Sequence, residues 1–273
     1  MIGIYGIFIG SYIELLPNFI KQVESNFCPT QLKKFFIVSD CSLEESPIVQ
    51  NKLNVEWLIV QKIGWPYETL YRFHYFLQFT TIKECSHIFF LNSNIQLQSI
   101  VDSEMLPIPP YQLTFVLHRC HSKNTDSTKC NSMESNSQST CYIPPCHNLR
   151  YIIGGLFGGT TFQFMKLCCS LAHDVFVNED HNHIAIWHDE THLNYYVNRV
   201  LNNNVHFLGV EYHGYGNCPQ NKVDFKKKPK RWIYQRRHTY GKVISNSYFK
   251  QWKKNQIKND LTQLVHREQN DKG

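Results

Sequence analysis

The stretch "FFLNSNIQL", residues 89–97, begins as a buried strand and then ends on two asparagines, Asn92 and Asn94, with Ser93 between them. Apolar runs that end in spaced polar residues are typical of the edge of an α/β sheet where a ligand binds. The stretch therefore predicts both a fold class and the position of a site. It also raises a chemical question, because neutral amides stand where carboxylates would hold a metal ion.

Strands and helices alternate around this stretch through the first hundred residues. Apolar patterning predicts strands at 2–9, 35–40, 55–63 and 87–91, and helices at 12–27 and 69–79. This alternation predicts a mostly parallel α/β sheet flanked by helices, whose ligands bind beyond the carboxyl ends of the strands. Ser39 and Asp40 should then lie near the two asparagines.

The second half of the chain is less regular. Residues 121–141 are rich in Ser, Asn, Thr and Lys, contain almost nothing to bury and predict a loop. A helix is predicted at 162–175, and another in the latter part of "IAIWHDETHLNYYVNRVL" at 184–201. We expect one folded domain over 1–240.

Composition points to a folded, cytoplasmic protein. The chain has 273 residues and is 42% hydrophobic, which is enough for a sizeable core. No stretch approaches ~18 uninterrupted apolar residues, and the opening residues have neither a basic region nor a small-residue cleavage site. We therefore expect no membrane-spanning helix.

Positive charge is concentrated at the C-terminus. Residues 221–273 contain 15 Lys and Arg against 4 Asp and Glu, a net charge of +11, whereas the whole chain carries +6. Residues 241–273 are interpreted as a basic helical tail that is merely solvated, binds nucleic acid, or contacts an anionic membrane face. Phe249 and Trp252 among lysines are compatible with peripheral membrane contact.

The ten cysteines favour reduced thiols of a cytoplasmic protein. Four of them fall in one region together with two histidines: Cys120, Cys130, Cys141 and Cys146, with His121 and His147. Their spacings fit no zinc pattern. Scattered thiols in a variable loop are the favoured interpretation, and a structural metal is the alternative.

Three further segments carry chemistry. In "IWHDETHLNYY" His188 and His192 are four apart as in zincins, but Asp189 occupies the position that a zincin gives to Glu. Glu190 would point away from a helical face shared by the two histidines, which argues against a metallohydrolase. The structural alternative is the polar N-terminus of a helix, where Asp and Glu are favoured by the helix dipole. Arg72, among apolar residues of "GWPYETLYRFHYF", pairs with a carboxylate or reaches an anionic ligand.

The third of these segments is "GGLFGGT" at 154–160. Paired glycines allow close approach of backbone to a ligand, or a tight turn between core elements. The spacing is not that of a dinucleotide-binding or phosphate-binding loop.

In combination and in order, these motifs resemble glycosyltransferase family 6, which contains the histo-blood-group A and B transferases and the α1,3-galactosyltransferases. The matching pieces are FIGSY, FFIVSD, WPYETLYRF, FFLNSN, LH at 117–118, TCYIP, YIIGGLFGGT and WHDETHLNYY. The resemblance implies a catalytic domain of GT-A fold over 1–240, with a nucleotide-binding half at about 1–100 and an acceptor-binding half at about 101–240. It also implies retaining transfer of Gal or GalNAc from a UDP-sugar to the 3-OH of a galactoside.

The resemblance also implies site roles. Glu190 matches the catalytic carboxylate, and Trp187, His188 and Asp189 match the acceptor and donor pocket. His118 matches a histidine that meets the acceptor galactose. The remaining donor-site matches are Phe8, Ile9 and Tyr12 for uracil and ribose, Trp65 and Arg72 near the donor sugar, and Ile153, Gly154 and Gly155 of the glycine motif.

The resemblance gives the asparagine pair an interpretation. Asn92-Ser93-Asn94 stands where animal members have an Asp-X-Asp that binds Mn²⁺, and it resembles the NXN variant of bacterial members. Amide oxygens are poor substitutes for two carboxylates around a divalent cation. We therefore expect no metal cofactor, with Arg72 and the basic pair Arg236 and Arg237 offsetting the charge of the leaving UDP.

Substrate choice is only partly legible. Ile153 and Gly155 match positions that separate GalNAc from Gal donors, and a glycine leaves space for the N-acetyl group, which favours UDP-GalNAc over UDP-Gal. The acceptor stays open, because Arg119 and the residues after it depart from the family pattern. A fucosylated galactose on a surface glycan is the family default, and a lipid-linked galactoside is a further option. We expect no nucleic acid partner. The alternatives are an α1,3-galactosyltransferase, a UDP-sugar hydrolase, or a non-catalytic glycan- or nucleic-acid-binding protein.

Overall fold

The computed structural model describes residues 1–46, 54–97, 99–118, 133–144 and 149–212. Within them, seven strands form one sheet: β1 (Ile2–Phe8), β2 (Lys33–Ser39), β3 (Val55–Ile59), β4 (His87–Leu91), β5 (Leu113–Leu117), β6 (Ile152–Thr160) and β7 (His206–Leu208). Their order across the sheet is β3-β2-β1-β4-β6-β5-β7.

Most neighbouring strands are parallel. β1 pairs with β2 and β4, β2 with β3, and β5 with β7, all in parallel, whereas β6 runs antiparallel between β4 and β5. The predicted α/β class with a mostly parallel sheet flanked by helices is confirmed.

The helices follow the predicted order with altered boundaries. They are α1 (Leu16–Asn26), α2 (Tyr67–Leu70), α3 (Arg72–Phe76), α4 (Thr161–Asp180) and α5 (Asp189–Tyr195), and a π turn (Tyr196–Val200) continues α5. The helix predicted at 12–27 begins instead as a 3₁₀ turn, Gly10–Leu15. Pro17 explains the change, because a proline inside an α-helix lacks a donor and clashes with the preceding turn, but it is tolerated at a helix start.

Two other predicted elements are shorter or divided. β3 ends at Ile59 rather than at residue 63, because its last partner, Ser39, ends β2. The helix predicted at 69–79 is split at Tyr71 into α2 and α3. By contrast, the helix predicted at 162–175 is longer in the structure, because α4 continues to Asp180.

The glycine motif lies in β6, so the alternative of a tight turn was wrong. A side chain at Gly158 would collide with the Phe89 ring and the Ile88 carbonyl of β4, and one at Gly159 would collide with the backbone near Leu113 of β5. Glycine therefore allows β6 to lie close to both neighbours.

Both faces of the sheet are covered. On one face Tyr5, Phe36 and Phe157 pack beneath α3 and α4, and on the other Phe8 and Phe89 pack against α1. Burial of each such aromatic side chain contributes about 1.5–3 kcal/mol relative to exposure. A sheet with two buried faces explains why its strands are almost continuously apolar.

The described part of the polar region, residues 133–144, contains neither helix nor strand, as predicted. The expectation that it buries almost nothing was wrong, since Met133, Glu134 and Cys141 are all buried. Cys141 has its Sγ 3.1 Å from the Ser139 hydroxyl, and burial raises the pKa of its thiol to about 12. The other three cysteines of that group lie outside the described residues.

Among the described residues, no helix combines the length and apolar character that crossing a bilayer requires. The predicted basic tail at 241–273 and the pair Arg236 and Arg237 lie outside the described residues.

Candidate active site

The site lies at the carboxyl ends of the central strands. Beyond β1, the Gly10 N–H donates to the Asp40 carboxylate at 2.8 Å, which ties the end of β1 to that of β2. Beyond β4, the Asn92 N–H donates to the Gly155 carbonyl of β6 at 3.0 Å. The predicted clustering of Asp40 and Asn92 at one edge follows from the parallel order of these strands.

The Glu190 carboxylate is held at the start of α5 by two donors. Its Oε2 accepts the Gly154 N–H at 2.6 Å, and its Oε1 accepts the Tyr151 hydroxyl at 2.9 Å. Burial raises the pKa of Glu190 to about 7, against the lowering effect of these two hydrogen bonds. A carboxylate fixed by two donors and poised near neutrality suits catalysis.

Asp189 and Arg72 form a buried ion pair beside Glu190. Their nearest atoms are 2.8 Å apart, and the side chains are 9% and 4% exposed. Arg72 also donates to the Gly154 carbonyl at 2.6 Å and lies over the Phe90 ring at 4.2 Å. The alternative in which Arg72 pairs with a carboxylate is thus confirmed.

The protonation of Asp189 reflects two opposing effects. Burial raises its pKa, and the Arg72 guanidinium opposes that rise by favouring the charged form. Because Asp189 offsets the charge of Arg72, this pair adds little net positive charge to the site. An anionic ligand would therefore draw on further basic groups.

Gly154 connects the two carboxylates. Its N–H binds Glu190 and its carbonyl binds Arg72. A β-carbon at this position would lie 3.1 Å from both the Asp189 Oδ2 and the Glu190 Cβ. Glycine thus lets the β6 backbone approach the two acidic residues without this crowding.

Aromatic side chains border the site on its solvent side. Trp65 and Trp187 are 59% and 51% exposed, and the Trp65 ring lies edge-on to the His188 ring at 4.5 Å. His188 has φ 56°, in the left-handed region, immediately before α5. Exposed tryptophans beside a carboxylate pair are suited to contacting sugar rings.

His118 joins the site through Tyr151. Its N–H donates to the Tyr151 carbonyl at 2.8 Å, and the two rings lie edge-on at 5.4 Å. The Tyr151 hydroxyl in turn donates to the Glu190 carboxylate. Tyr151 therefore links the predicted acceptor histidine to the predicted catalytic carboxylate.

The residues predicted to hold uracil and ribose differ in accessibility. Phe8 is fully buried with its ring 5.0 Å from Phe19, and Ile9 is also buried, so their side chains belong to the core. Tyr12 is half-buried in the 3₁₀ turn, and Ile153 is buried in β6. Among these four residues, Tyr12 is the one whose side chain keeps partial exposure.

Comparison with known proteins identifies the family. The model of glycosyltransferase family 6 matches residues 1–232. The chain belongs to glycosyltransferase family 6. It is 30% identical over 203 residues to the O-antigen biosynthesis glycosyltransferase WbnI of Escherichia coli, covering 72% of this chain and 81% of that protein. It is 38% identical over 65 residues to the histo-blood group ABO system transferase 1 of Rattus norvegicus, covering 23% and 18%.

The amide pair of this family 6 glycosyltransferase does not fit a divalent metal site. Asn92 and Asn94 are half-buried and Ser93 is buried, so the motif supplies amide and hydroxyl groups without a carboxylate. Across the described ranges, no three His, Cys, Asp or Glu side chains are grouped so that they could hold a metal ion. Amide oxygens are poor substitutes for carboxylates as the main protein ligands of a hard divalent cation.

The histidine pair likewise lacks the geometry of a zincin. His188 precedes the helix, whereas His192 lies within it, is 1% exposed and has a pKa lowered by burial to about 3. The two histidines therefore do not share a helical face.

The structure adds three residues of this family 6 enzyme that sequence patterns did not indicate. Tyr151 follows the polar region and was hidden among apolar neighbours. Lys62, shortly after β3, has its Nζ 2.8 Å from where a β-carbon of Gly10 would lie, just beyond the end of β1. Asn194 binds β6 from α5. Only the spacing of four between Glu190 and Asn194 could have suggested a shared helical face.

Proposed function

We propose that this family 6 glycosyltransferase is a retaining α1,3-N-acetylgalactosaminyltransferase that moves GalNAc from UDP-GalNAc to the 3-OH of a galactoside without a metal ion. The supporting observation is the Glu190 carboxylate held by Gly154 and Tyr151 beside the buried Arg72–Asp189 pair. A carboxylate held in one orientation at the edge of the sheet where the nucleotide-sugar is expected is what retaining transfer requires.

Glu190 has the same requirement in either retaining pathway. The bond between the anomeric carbon and the UDP oxygen breaks, a bond to the acceptor O3 forms, and the acceptor proton passes to the departing phosphate. The carboxylate either bonds transiently to the anomeric carbon or stabilises its positive charge. Both roles need ionised Glu190, which two hydrogen-bond donors keep in one orientation.

The charge of the leaving UDP is offset without a cation. Asn92 and Asn94 donate hydrogen bonds to ribose and phosphate, and they add no negative charge that a metal would have to neutralise. Asp189 largely offsets the charge of Arg72, which adds a directed hydrogen-bond donor. Lys62, Arg236 and Arg237 therefore supply most of the positive charge. We expect turnover to be undiminished in excess EDTA; loss of turnover on chelation, restored by Mn²⁺, would contradict metal independence.

Donor choice depends on the space at Gly155. Glycine leaves room for the N-acetyl group, which supports UDP-GalNAc as donor. Comparison of kcat/KM for UDP-GalNAc and UDP-Gal tests this, and Gly155→Ala should shift the preference several-fold toward UDP-Gal. A wild-type preference for UDP-Gal would make the protein an α1,3-galactosyltransferase instead.

The acceptor is proposed to be a galactose-terminated surface glycan, fucosylated or lipid-linked. Exposed Trp65 and Trp187 support a sugar-ring contact, and the E. coli relative is named for O-antigen biosynthesis. Peripheral contact of the basic tail with the inner face of the cytoplasmic membrane would bring the enzyme to such an acceptor. A mass-spectrometric screen of UDP-sugars against free and lipid-linked galactosides tests the substrate class, and hydrolysis without transfer would indicate a UDP-sugar hydrolase.

A further inference from the structure

Half of β6 lies beyond the end of its partner strand. β4 ends at Leu91, opposite Leu156, and the last backbone bond between them joins Asn92 to Gly155. Residues 150–154, which are the first three residues of β6 and the two before it, therefore extend past β4, and no strand of the described residues covers their edge on that side. An uncovered edge leaves N–H and C=O groups that must find other partners or lose free energy on burial.

Side chains of α5 and its π turn cover this edge. Asn194 accepts the Ile152 N–H at 2.8 Å and donates to the Ile152 carbonyl at 3.0 Å. Asn198 accepts the Arg150 N–H at 2.8 Å and donates to the Arg150 carbonyl at 2.8 Å. Each side-chain amide thus replaces the peptide group of a missing strand. We call Asn194 and Asn198 the amide rungs.

Glu190 occupies the next position in the same series. It accepts the Gly154 N–H, while Arg72 donates to the Gly154 carbonyl. Every fourth residue of the helix therefore contacts every second residue of the strand: 190 contacts 154, 194 contacts 152, and 198 contacts 150.

The two repeats match in length. Four helical residues rise about 6 Å, and two strand residues span about 6.6 Å. Four residues of an α-helix overshoot a full turn by about 40°. The π turn at Tyr196–Val200 has more residues per turn and rotates in the compensating sense, which keeps Asn198 facing the strand.

We propose that Asn194 is a positioning residue that sets the orientation of the Glu190 carboxylate by fixing the register between α5 and β6. This inference rests on the proposed function of Glu190. Asn194 is fully buried, and its second N–H donates at 2.8 Å to the backbone carbonyl of Glu190 itself. It thus joins the helical turn that carries Glu190 to the strand that supplies the Gly154 N–H.

Asn198 provides a matched comparison. It makes the same two bonds to the strand, and its second N–H donates at 2.8 Å to the Asn194 carbonyl. It is nearly as buried, at 5% exposure. Its bonds, however, lie one helical turn further from Glu190. A purely structural role predicts equal consequences for the two residues, whereas a positioning role does not.

The experiment compares Asn194→Ala with Asn198→Ala in the full chain. We expect a similar fall in Tm, because the same three bonds are lost. We expect kcat to fall about 100-fold in Asn194→Ala, as a misplacement of about 1 Å can do, and less than about fivefold in Asn198→Ala. The donor KM should stay within about threefold in both. Equal kcat losses would overturn the proposal.

A second measurement does not depend on turnover. The pKa of Glu190, followed by carboxyl ¹³C NMR without substrate, should rise in Asn194→Ala as its hydrogen bonds loosen, and stay unchanged in Asn198→Ala. Equal shifts, or none, would overturn the positioning role. Absence of transfer by the wild type with every UDP-sugar would instead refute the proposed function, and the two failures are therefore distinguishable.

If either alanine variant does not fold, Asn194→Asp and Asn198→Asp replace the pair. The isosteric carboxylate keeps the acceptor for the strand N–H and removes both donated bonds. A larger loss of kcat in Asn194→Asp than in Asn198→Asp would support the proposal, and equal losses would overturn it.

Discussion

The two halves of β6 are hydrogen-bonded in different ways. Residues 156–160 pair with β4, so their backbone meets backbone. Residues 150–154 lie past the end of β4 and meet the side chains of Glu190, Asn194 and Asn198. The same strand is therefore a structural element in one half and a support for chemistry in the other.

The difference shows how an α/β sheet can create a reactive position. In the paired half, apolar residues and close-fitting glycines bring strands together, and every contact serves stability. In the other half, the end of β4 leaves room for a helix to present a carboxylate. A change in the paired half should affect folding, whereas a change next to Glu190 in the other half, at Gly154 or Asn194, should also affect turnover.

The largest effect should come from Glu190→Gln. Removal of the negative charge should lower kcat at least about 10³-fold with UDP affinity close to the wild-type value. The measurement is single-turnover transfer together with UDP binding by calorimetry. Glu24→Gln, at an exposed position on α1, is the control. Normal turnover by Glu190→Gln would remove the assigned role.

The same substitution should stabilise the fold above neutral pH. The folded pKa of Glu190 is about 7 against a usual value of 4.5, so the folded state retains its proton longer, and the free energy of unfolding decreases as pH rises between these values. At pH 8 Glu190→Gln should relieve up to roughly 3 kcal/mol. A Tm unchanged or lowered at pH 8 would argue against the raised pKa.

Gly154→Ala and Gly158→Ala test the two halves directly. The added methyl at 154 would crowd Asp189 and Glu190, so kcat should fall about 100-fold. The methyl at 158 would collide with β4, which should cost about 1–3 kcal/mol of stability while the folded fraction keeps normal kcat. Kinetics and thermal unfolding of both variants provide the measurement. If both variants lost activity per folded molecule, the two halves of β6 would not differ in the way described.

The wild-type pH profile should show a smaller effect. Glu190 has to be ionised to act, and its pKa is about 7. The value of kcat/KM for the donor should therefore rise about tenfold between pH 6 and pH 8. The protonated form predominates below pH 7, and activity is lost there. A flat profile over this range would exclude Glu190 as the ionising group.

Tyr151→Phe should have the smallest effect of the series. Loss of the hydroxyl that binds Glu190 Oε1 removes one stabiliser of the charged form, so the acid limb should move to higher pH and kcat/KM at pH 7 should fall about fivefold. The deficit should vanish near pH 9. Tyr71→Phe, which loses a hydroxyl bond to the distant Glu179 carboxylate, is the control.

Much of this molecule was legible from its sequence. Periodicity located β1, β2 and β4, and the order of motifs identified the family. These inferences succeeded because patterning and motif chemistry are local. The helix predicted at 12–27 is too long, because Pro17 makes the α-helix begin at Leu16 although the apolar spacing begins earlier. The region around Met133 and Cys141 was underestimated because its apolar residues are few and far apart.

Sequence by itself determined the class of sheet, the family and the identity of Glu190, Asp189 and Arg72 as candidate groups, because apolar periodicity and residue chemistry are properties of short segments. Only the tertiary structure decided that Arg72 pairs with Asp189, that the Gly154 N–H donates to the Glu190 carboxylate, and that Asn194 lies against Ile152. Those partners are separated by tens of residues along the chain. Their contacts depend on where β4 ends and how α5 is oriented, and no local pattern records either.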